Sequence, residues 1–220
     1  MTNNINTKDY WDDRFSSRDW EDKSGRLQTE NFAKGQLKYF NIPENFTGTI
    51  LDFGCGLGDA MPIYKQRFPK AKLIGLDISQ SAIEKCNMKY GHIASFMQGD
   101  YSNVPQVDII ISSNVFEHLS HDREIAQALI SKCKRLYIIV PYREMPLCLE
   151  HVNSYDEHYF SSIGKKYEYQ IFSCKGWTQE GIKGLGYGVY FKNIFRFLMR
   201  KKLHRRQMQI MFSFEGEGSS

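Results

Sequence analysis

The chain has 220 residues, 41% hydrophobic and 25% charged, with a formal net charge of +4, which is the size and balance of one soluble domain. No apolar run reaches the length of a membrane span, MTNNINTKDY lacks the basic and apolar regions of a secretory leader, and five cysteines without a C-x-x-C pair exclude a disulfide framework or zinc ribbon, so reduced thiols in a cytoplasm are expected. The charge is uneven: Lys183, Lys192, Arg196, Arg200, Lys201, Lys202, Arg205 and Arg206 lie between Glu180 and Glu215 with no acid among them.

In chain order, residues 1–30 are polar, with Tyr10, Trp11, Phe15 and Trp20 scattered among them and Gly25 as an interruption. Helical spacing over 30–40 follows, closed by Pro43. Strands are then expected over 49–53, 72–77, 93–98, 107–112 and 135–140. Helices fall between them over 59–68, ended by Pro69, over 79–90, capped by Ser79, and over 121–133. Short β-branched runs alternating with helices predict an α/β fold, a doubly wound and mostly parallel sheet with helices on both faces. Past Pro141 the rhythm changes. Residues 167–174 and 207–214 read as two further strands, giving seven, with a glycine-rich turn and a basic amphipathic helix over 189–206 between them. The expected division is an N-terminal helical lid over 1–45, the α/β domain over 46–215, and a disordered tail over 216–220.

The stretch ILDFGCGLGD (50–59) ends the first strand and opens a helix. Its glycines fall at Gly54, Gly56 and Gly58, whereas a dinucleotide loop reads G-x-G-x-x-G. Asp59 stands where the third glycine would be, and a carboxylate there would repel a pyrophosphate. A ligand without phosphate suits the loop better. Ligands of open α/β sheets sit beyond the carboxyl ends of the strands. Asp77 closes the second strand, where it can accept from both hydroxyls of a ribose. Asp100 and Tyr101 follow the third strand, and Asn114 the fourth, so the rim suits adenosine plus something small and charged. A short-chain dehydrogenase would need a Tyr-x-x-x-Lys pair, which the sequence lacks.

With LDFGCGLGD, LDIS ending at Ser79, QGDY (98–101), DIIISSNVFEHL (108–119) and YWDDRF near the start, the sequence resembles the class I S-adenosylmethionine-dependent methyltransferases. The resemblance covers about 50–140 and implies a Rossmann-like methyltransferase fold. It also implies that Gly54, Gly56 and Gly58, with Asp52 and Cys55, hold the methionine part of S-adenosylmethionine. Asp77 and Ile78 would take the ribose, and Asp100 and Tyr101 the adenine. Asn114 would complete the rim, while Gln28 and Thr29 would approach from an N-terminal lid.

Methyl transfer is an in-line displacement, and an aliphatic hydroxyl acceptor needs a general base. The rim SSNVFEH (112–118) lacks the Pro-Pro-aromatic signature of amine-methylating relatives. His118 follows the fourth strand and is one candidate base; His151, in the segment after the fifth strand with Tyr155 nearby, is the other and the first choice. Glu117 is read as directed at the sheet. Small-RNA ribose methyltransferases of similar sequence bind a divalent ion through E-x-x-E-H, but Asn114 replaces the first glutamate here, and no metal is assigned.

The YWDDRF…QTENFAK arrangement resembles bacterial methyltransferases of surface-glycan synthesis, which implies O-methylation of a hydroxyl on a sugar precursor or small molecule. The alternatives are a phenolic or carboxylate metabolite, or an inactive cofactor-binding partner subunit. No nucleic-acid-reading module is recognisable. The basic face of helix 189–206 reads either as a solvated face on a helix covering the acceptor pocket, the slightly favoured reading, or as a contact with anionic lipid or an anionic substrate, and the protein is expected in the cytoplasm or at the inner membrane surface.

Overall fold

β-branched runs that are buried on both sides belong in the middle of a covered sheet. Thr49–Phe53 (β1), Ile109–Ser113 (β4) and Arg135–Pro141 (β5) are such runs, and with Lys72–Asp77 (β2) and Ser95–Gln98 (β3) they pair in parallel. Tyr167–Ser173 (β6) and Met208–Glu215 (β7) complete the sheet, with β7 antiparallel to both β5 and β6. The order is β3-β2-β1-β4-β5-β7-β6, seven strands as expected. This is a computed structural model that describes residues 5–173, 194–200 and 208–218.

Side chains alternate between two cores, one on each sheet face. Ile50, Ile109, Ile111 and Ile139 face one cluster, which is closed by Phe32, Met61, Tyr64, Ile83 and Cys86. Leu51, Ile110, Ile138 and Phe212 face the other, closed by Ile125, Ala126, Leu129 and Phe160. The helices therefore cover both faces.

The N-terminal residues that read as merely polar fold into Lys8–Ser16 (α1), Asp19–Asp22 (α2) and Gly25–Gln36 (α3). Thr7 caps α1, and Ser24 takes a left-handed φ of 61° that turns the chain into α3, five residues before the periodic apolar spacing begins. Met61–Arg67 (α4) starts later than expected because 58–61 is still a turn, with Met61 N–H donating to the Gly58 carbonyl at 3.0 Å. Ser79 caps Gln80–Tyr90 (α5) as expected, accepting from the Ala82 N–H at 3.1 Å. Asp122–Ile130 (α6) ends three residues early, where the Lys132 N–H turns back to the Leu129 carbonyl.

One expectation changes at the C-terminal end. Residues 216–218 are held, not disordered: their N–H groups donate to the carbonyls of Lys134, Ile130 and Cys133 at 2.8–3.0 Å, extending the β7 side of the sheet. Of the basic helix expected over 189–206, residues 194–198 are helical and 199–200 form a turn; 189–193 and 201–206 lie outside the described residues, as do Cys174, Gln207 and 219–220.

Candidate active site

The strand order reverses at β1, whose neighbours are β2 and β4, so a crevice opens beyond their carboxyl ends. A cavity of about 500 Å³ fills it. One wall is the glycine loop after β1. Gly54, Gly56 and Gly58 all have positive φ (76°, 51° and 72°), a conformation that costs any other residue strain. The loop is pinned by Asp77, which is buried at the end of β2: Oδ2 accepts from the Gly56 N–H at 2.8 Å and Oδ1 from the Ser79 N–H at 2.9 Å. Each carboxylate oxygen keeps a further lone pair for a ligand hydroxyl. Burial raises the Asp77 carboxyl, and the two backbone donors oppose that shift. Burial and the adjacent Asp77 charge push Asp52 up to about 7.

Of the expected site residues, Asp52, Gly54, Cys55, Gly56, Asp77, Ile78, Asn114, Gln28, Thr29, His118 and His151 all line this one cavity. Three expected cofactor residues do not. Gly58 lies behind the wall, and a Cβ there would meet Cys86 Sγ at 3.0 Å and the rings of Phe96 and Tyr90 at 3.2 Å. Its work is packing. Gly58→Ala should therefore cost about 2–4 kcal/mol, combining left-handed strain with crowding, read as a lower urea midpoint. Asp100 and Tyr101 form an exposed turn at the rim beside Gly99, which does line the cavity. Asp100 Oδ1 accepts from the Ser102 N–H at 2.8 Å and hydroxyl at 2.6 Å. Asp59 points away as well, accepting from Lys89 Nζ and the Tyr90 hydroxyl at 2.7 Å each, so it repels nothing in the crevice.

The opposite wall comes from the segments after β4 and β5. His118 is half-buried, and its Nδ1 lies 3.1 Å from the Glu150 carbonyl, which can only accept; the proton is therefore on Nδ1 and Nε2 keeps its lone pair. Burial, then His151 and Arg14, holds this imidazole down at about 3, so it is neutral throughout the working range. The His151 ring packs against it at 4.9 Å between centroids and 77° between planes. His151 Nδ1 is hydrogen-bonded to Glu144 Oε2. Burial pulls His151 down, but the Glu144 hydrogen bond with the Glu117 and Glu144 charges outweighs it, and the net shift is upward.

Glu117 is not turned into the sheet. Its carboxyl lines the cavity, while its backbone carbonyl accepts from the Val152 N–H at 2.8 Å. Burial raises the carboxyl to about 8, and Oε2 is buried without a hydrogen-bond partner. Glu117, His118 and His151 each place one ligating atom within 4.8 Å of the others, as do Glu144, Cys148 and His151, so either trio has the donor types to hold a borderline divalent ion. Tyr155 is no part of this wall; it is 1% exposed and its hydroxyl donates to Asp122 Oδ2 at 2.8 Å.

The Glu117 shift has a thermodynamic consequence. Its folded pKa is above its unfolded value, so the folded state binds the proton more tightly. That stabilisation is complete below about pH 4 and is lost as pH rises through about 8. Glu117→Gln should gain on wild type across that window, by on the order of 2 kcal/mol between pH 5 and 9. Parallel pH–stability slopes for the two proteins would contradict the assignment.

Arg14, Trp11 and Trp20, in the segment expected to form a lid, border the cavity from α1 and α2. The Arg14 guanidinium lies 5.5 Å from the Trp11 ring centroid and 5.4 Å from that of Trp20. It pairs with Glu150, which also accepts from the Tyr10 hydroxyl. Arg14 is the one lysine or arginine among the described lining residues. The signal for it was present in YWDDRF, four residues from Tyr10 on one helical face. On the sheet side, Gln36 Nε2 donates to Gln209 Oε1 at 3.1 Å, and Gln209 Nε2 donates to Asn114 Oδ1 at 2.9 Å, fixing Asn114 at its left-handed φ of 56°.

Fold, glycine loop and the carboxylate after β2 define a Rossmann-like domain shaped for a nucleoside ligand. Residues 50–137 match the model of a methyltransferase domain. Among curated proteins, the chain is 32% identical to trans-aconitate 2-methyltransferase of Deinococcus radiodurans over 88 residues, 39% of this chain and 34% of that protein. It is 26% identical to hydroxymycolate synthase MmaA4 of Mycobacterium tuberculosis over 150 residues, 66% of this chain and 48% of that one. The matches thus span a third to a half of those relatives. Solved structures with the same fold include a SAM-dependent methyltransferase from Aquifex aeolicus (TM-score 0.63, 16% identity, 91% of this chain and 98% of that one). The plantazolicin methyltransferase BpumL in complex with SAH is another (TM-score 0.60, 18% identity, 96% of each). Residues 50–137 thus match a methyltransferase domain, and the chain as a whole shares the fold of S-adenosylmethionine-dependent methyltransferases.

Proposed function

We propose that this protein transfers the methyl group of S-adenosylmethionine to a hydroxyl oxygen of a neutral acceptor, of sugar, glycan or other small-molecule type. The observation that carries this reading is the His151–Glu144 pair on the wall facing the glycine loop, an imidazole with a proton acceptor nitrogen still available. In the transfer, the acceptor oxygen attacks the methyl carbon in line with sulfur. The carbon–sulfur bond breaks with its electron pair left on sulfur, and the hydroxyl proton passes to His151 Nε2.

The other wall residues fit the cofactor. Asp77 accepts from the ribose hydroxyls, Asn114 and the backbone of 54–56 line the methionine end, and Asp100 with Tyr101 meets the adenine at the rim past Gly99. Arg14 supplies the cation for the methionine carboxylate, and α1–α3, with Gln28 and Thr29, form the lid. Among the described lining residues, Glu117, Glu144 and Glu150 surround the acceptor end, and Arg14, the one lysine or arginine, is directed to the cofactor carboxylate, leaving no cation for the acceptor. That balance disfavours an anionic acceptor and favours a neutral alcohol. Residues 194–199 add a candidate contact with an anionic surface: Ile194, Phe195, Phe197, Leu198 and Met199 are exposed within the acid-free basic run. No helix among the described residues is long and apolar enough to cross a membrane.

The test is transfer of labelled methyl from S-adenosylmethionine to separated saccharide, lipid and small-metabolite fractions. The label should enter a neutral hydroxyl compound as an alkali-stable ether. Label released by mild alkali would mark an ester, and with it a carboxylate acceptor, and would overturn the proposal.

A further inference from the structure

The two histidines of the acceptor wall are held differently, and the difference selects one partner residue. His118 gives its Nδ1 proton to a backbone carbonyl, and burial leaves the ring without a charged partner on that nitrogen. His151 gives its Nδ1 proton to the Glu144 carboxylate. Glu144 follows β5 in the same segment and lines the cavity, seven residues before His151. The Ser154 hydroxyl donates to the Glu144 carbonyl at 3.1 Å, and the Arg143 N–H donates to the Tyr155 carbonyl at 2.8 Å, so the backbone of this segment is fixed on both sides. The His151 N–H in turn donates to the Cys148 carbonyl at 3.2 Å. The ring is thus oriented by its backbone, by the edge contact with His118, and by one carboxylate.

From this geometry we infer that Glu144 is a positioning residue: it fixes the Nδ1–H tautomer of His151, aims Nε2 into the cavity, and stabilises the imidazolium formed when that nitrogen takes the acceptor proton. The inference rests on the reading of His151 as the base. A neutral imidazole in water prefers its proton on Nε2, the atom that must be bare for base catalysis. Holding the opposite tautomer therefore requires an acceptor at Nδ1, and Glu144 Oε2 is that acceptor. A carboxylate does this better than a carbonyl because its charge opposes that of the imidazolium. The groups facing His151 are Glu144 and Cys148 from its own segment and Glu117 and His118 from the turn after β4. Of these, Glu144 alone is hydrogen-bonded to the ring among the described residues.

The experiment compares Glu144→Ala and His151→Ala with wild type, all saturated with S-adenosylhomocysteine for spectroscopy. Nitrogen NMR of isotope-labelled histidine, followed at pH 9, should show His151 with a protonated Nδ1 and a bare Nε2 in wild type, and the reverse in Glu144→Ala. Turnover with labelled S-adenosylmethionine and the acceptor fraction found above should fall about tenfold or more in Glu144→Ala, with KM and cofactor affinity unchanged. An unaltered tautomer, or a kcat within about twofold of wild type, overturns the positioning role. If His151→Ala also keeps full turnover, the base reading itself has failed. If His151→Ala falls while Glu144→Ala does not, only the role of Glu144 has failed. Turnover abolished by a chelator and restored by manganese would also overturn it, since the imidazole nitrogen would then be a ligand and not a base.

Discussion

Replacing His151 by alanine is expected to lower turnover by about 10²–10⁴-fold, the range lost when a positioned base is removed from an unactivated hydroxyl. Cofactor affinity should change by less than about twofold, because the base touches the acceptor and not the adenosine. The pH dependence follows from the neighbours of His151. Its pKa is above the ordinary histidine value, the Glu144 hydrogen bond and the Glu117 and Glu144 charges overcoming burial. The active form is the neutral ring, so the rate should climb with pH, with the midpoint of its acidic limb above 6.5. His118→Ala should cost less: a ring whose pKa burial holds at about 3 is too weak a base to take a proton from an alcohol. Steady-state rates from pH 6 to 9 for both variants are the measurement. If neither substitution lowers turnover tenfold, base catalysis here is wrong, and an acceptor that ionises unaided takes its place.

Asp77→Ala should weaken S-adenosylmethionine and S-adenosylhomocysteine binding by about 1.5–3 kcal/mol, roughly 10- to 150-fold, through lost charge-assisted hydrogen bonds to the ribose. The structure adds a second loss. Asp77 also receives the Gly56 and Ser79 N–H groups, so alanine would leave two backbone donors in the loop without an acceptor. Asp77→Asn separates the contributions, since its amide can keep one of those acceptor contacts but not both. Calorimetry should rank the affinities wild type, Asn, Ala; equal affinity in all three folded proteins would remove Asp77 from the ribose site.

What the sequence made legible was governed by local chemistry. The five parallel strands, the Ser79 cap and the crevice position followed from β-branched runs, capping residues and strand order, each a property of neighbouring residues. Eleven of the fourteen expected site residues line one cavity. Those at the ends of β1, β2 and β4 (Asp52, Gly54, Cys55, Gly56, Asp77, Ile78, Asn114 and His118) do so because the carboxyl ends of these strands meet there, while Gln28, Thr29 and His151 reach it from α3 and from the segment after β5. Most of the failures depend on distant contacts. Gly58 reads as part of the ligand loop, yet its neighbours are Cys86, Phe96 and Tyr90, and no pattern within the loop encodes them. Tyr155 reads as a pocket residue, yet Asp122 draws its hydroxyl into the core. Glu150 and Arg14 escaped notice as wall residues because they are each other's partners from opposite parts of the chain, whereas Glu144 was missed although its partner, His151, lies only seven residues on. The early start of α3 escaped as well, since a left-handed serine leaves no periodic signature.

Glu150 touches more of the molecule than its place on a loop would suggest. Its carboxylate holds Arg14 and Tyr10 of α1, and its carbonyl receives both the Asn6 amide at 2.7 Å and the His118 imidazole at 3.1 Å. The arm, the cavity's cation and an acceptor-side ring thus share one amino acid. Any ligand carboxylate that draws Arg14 away from Glu150 must alter what holds His118. Free-energy coupling of this kind is reciprocal, so whatever factor the first ligand imposes on the second, the second imposes on the first. Cofactor and acceptor would then not be independent guests of the crevice; filling either end would tune the affinity of the other.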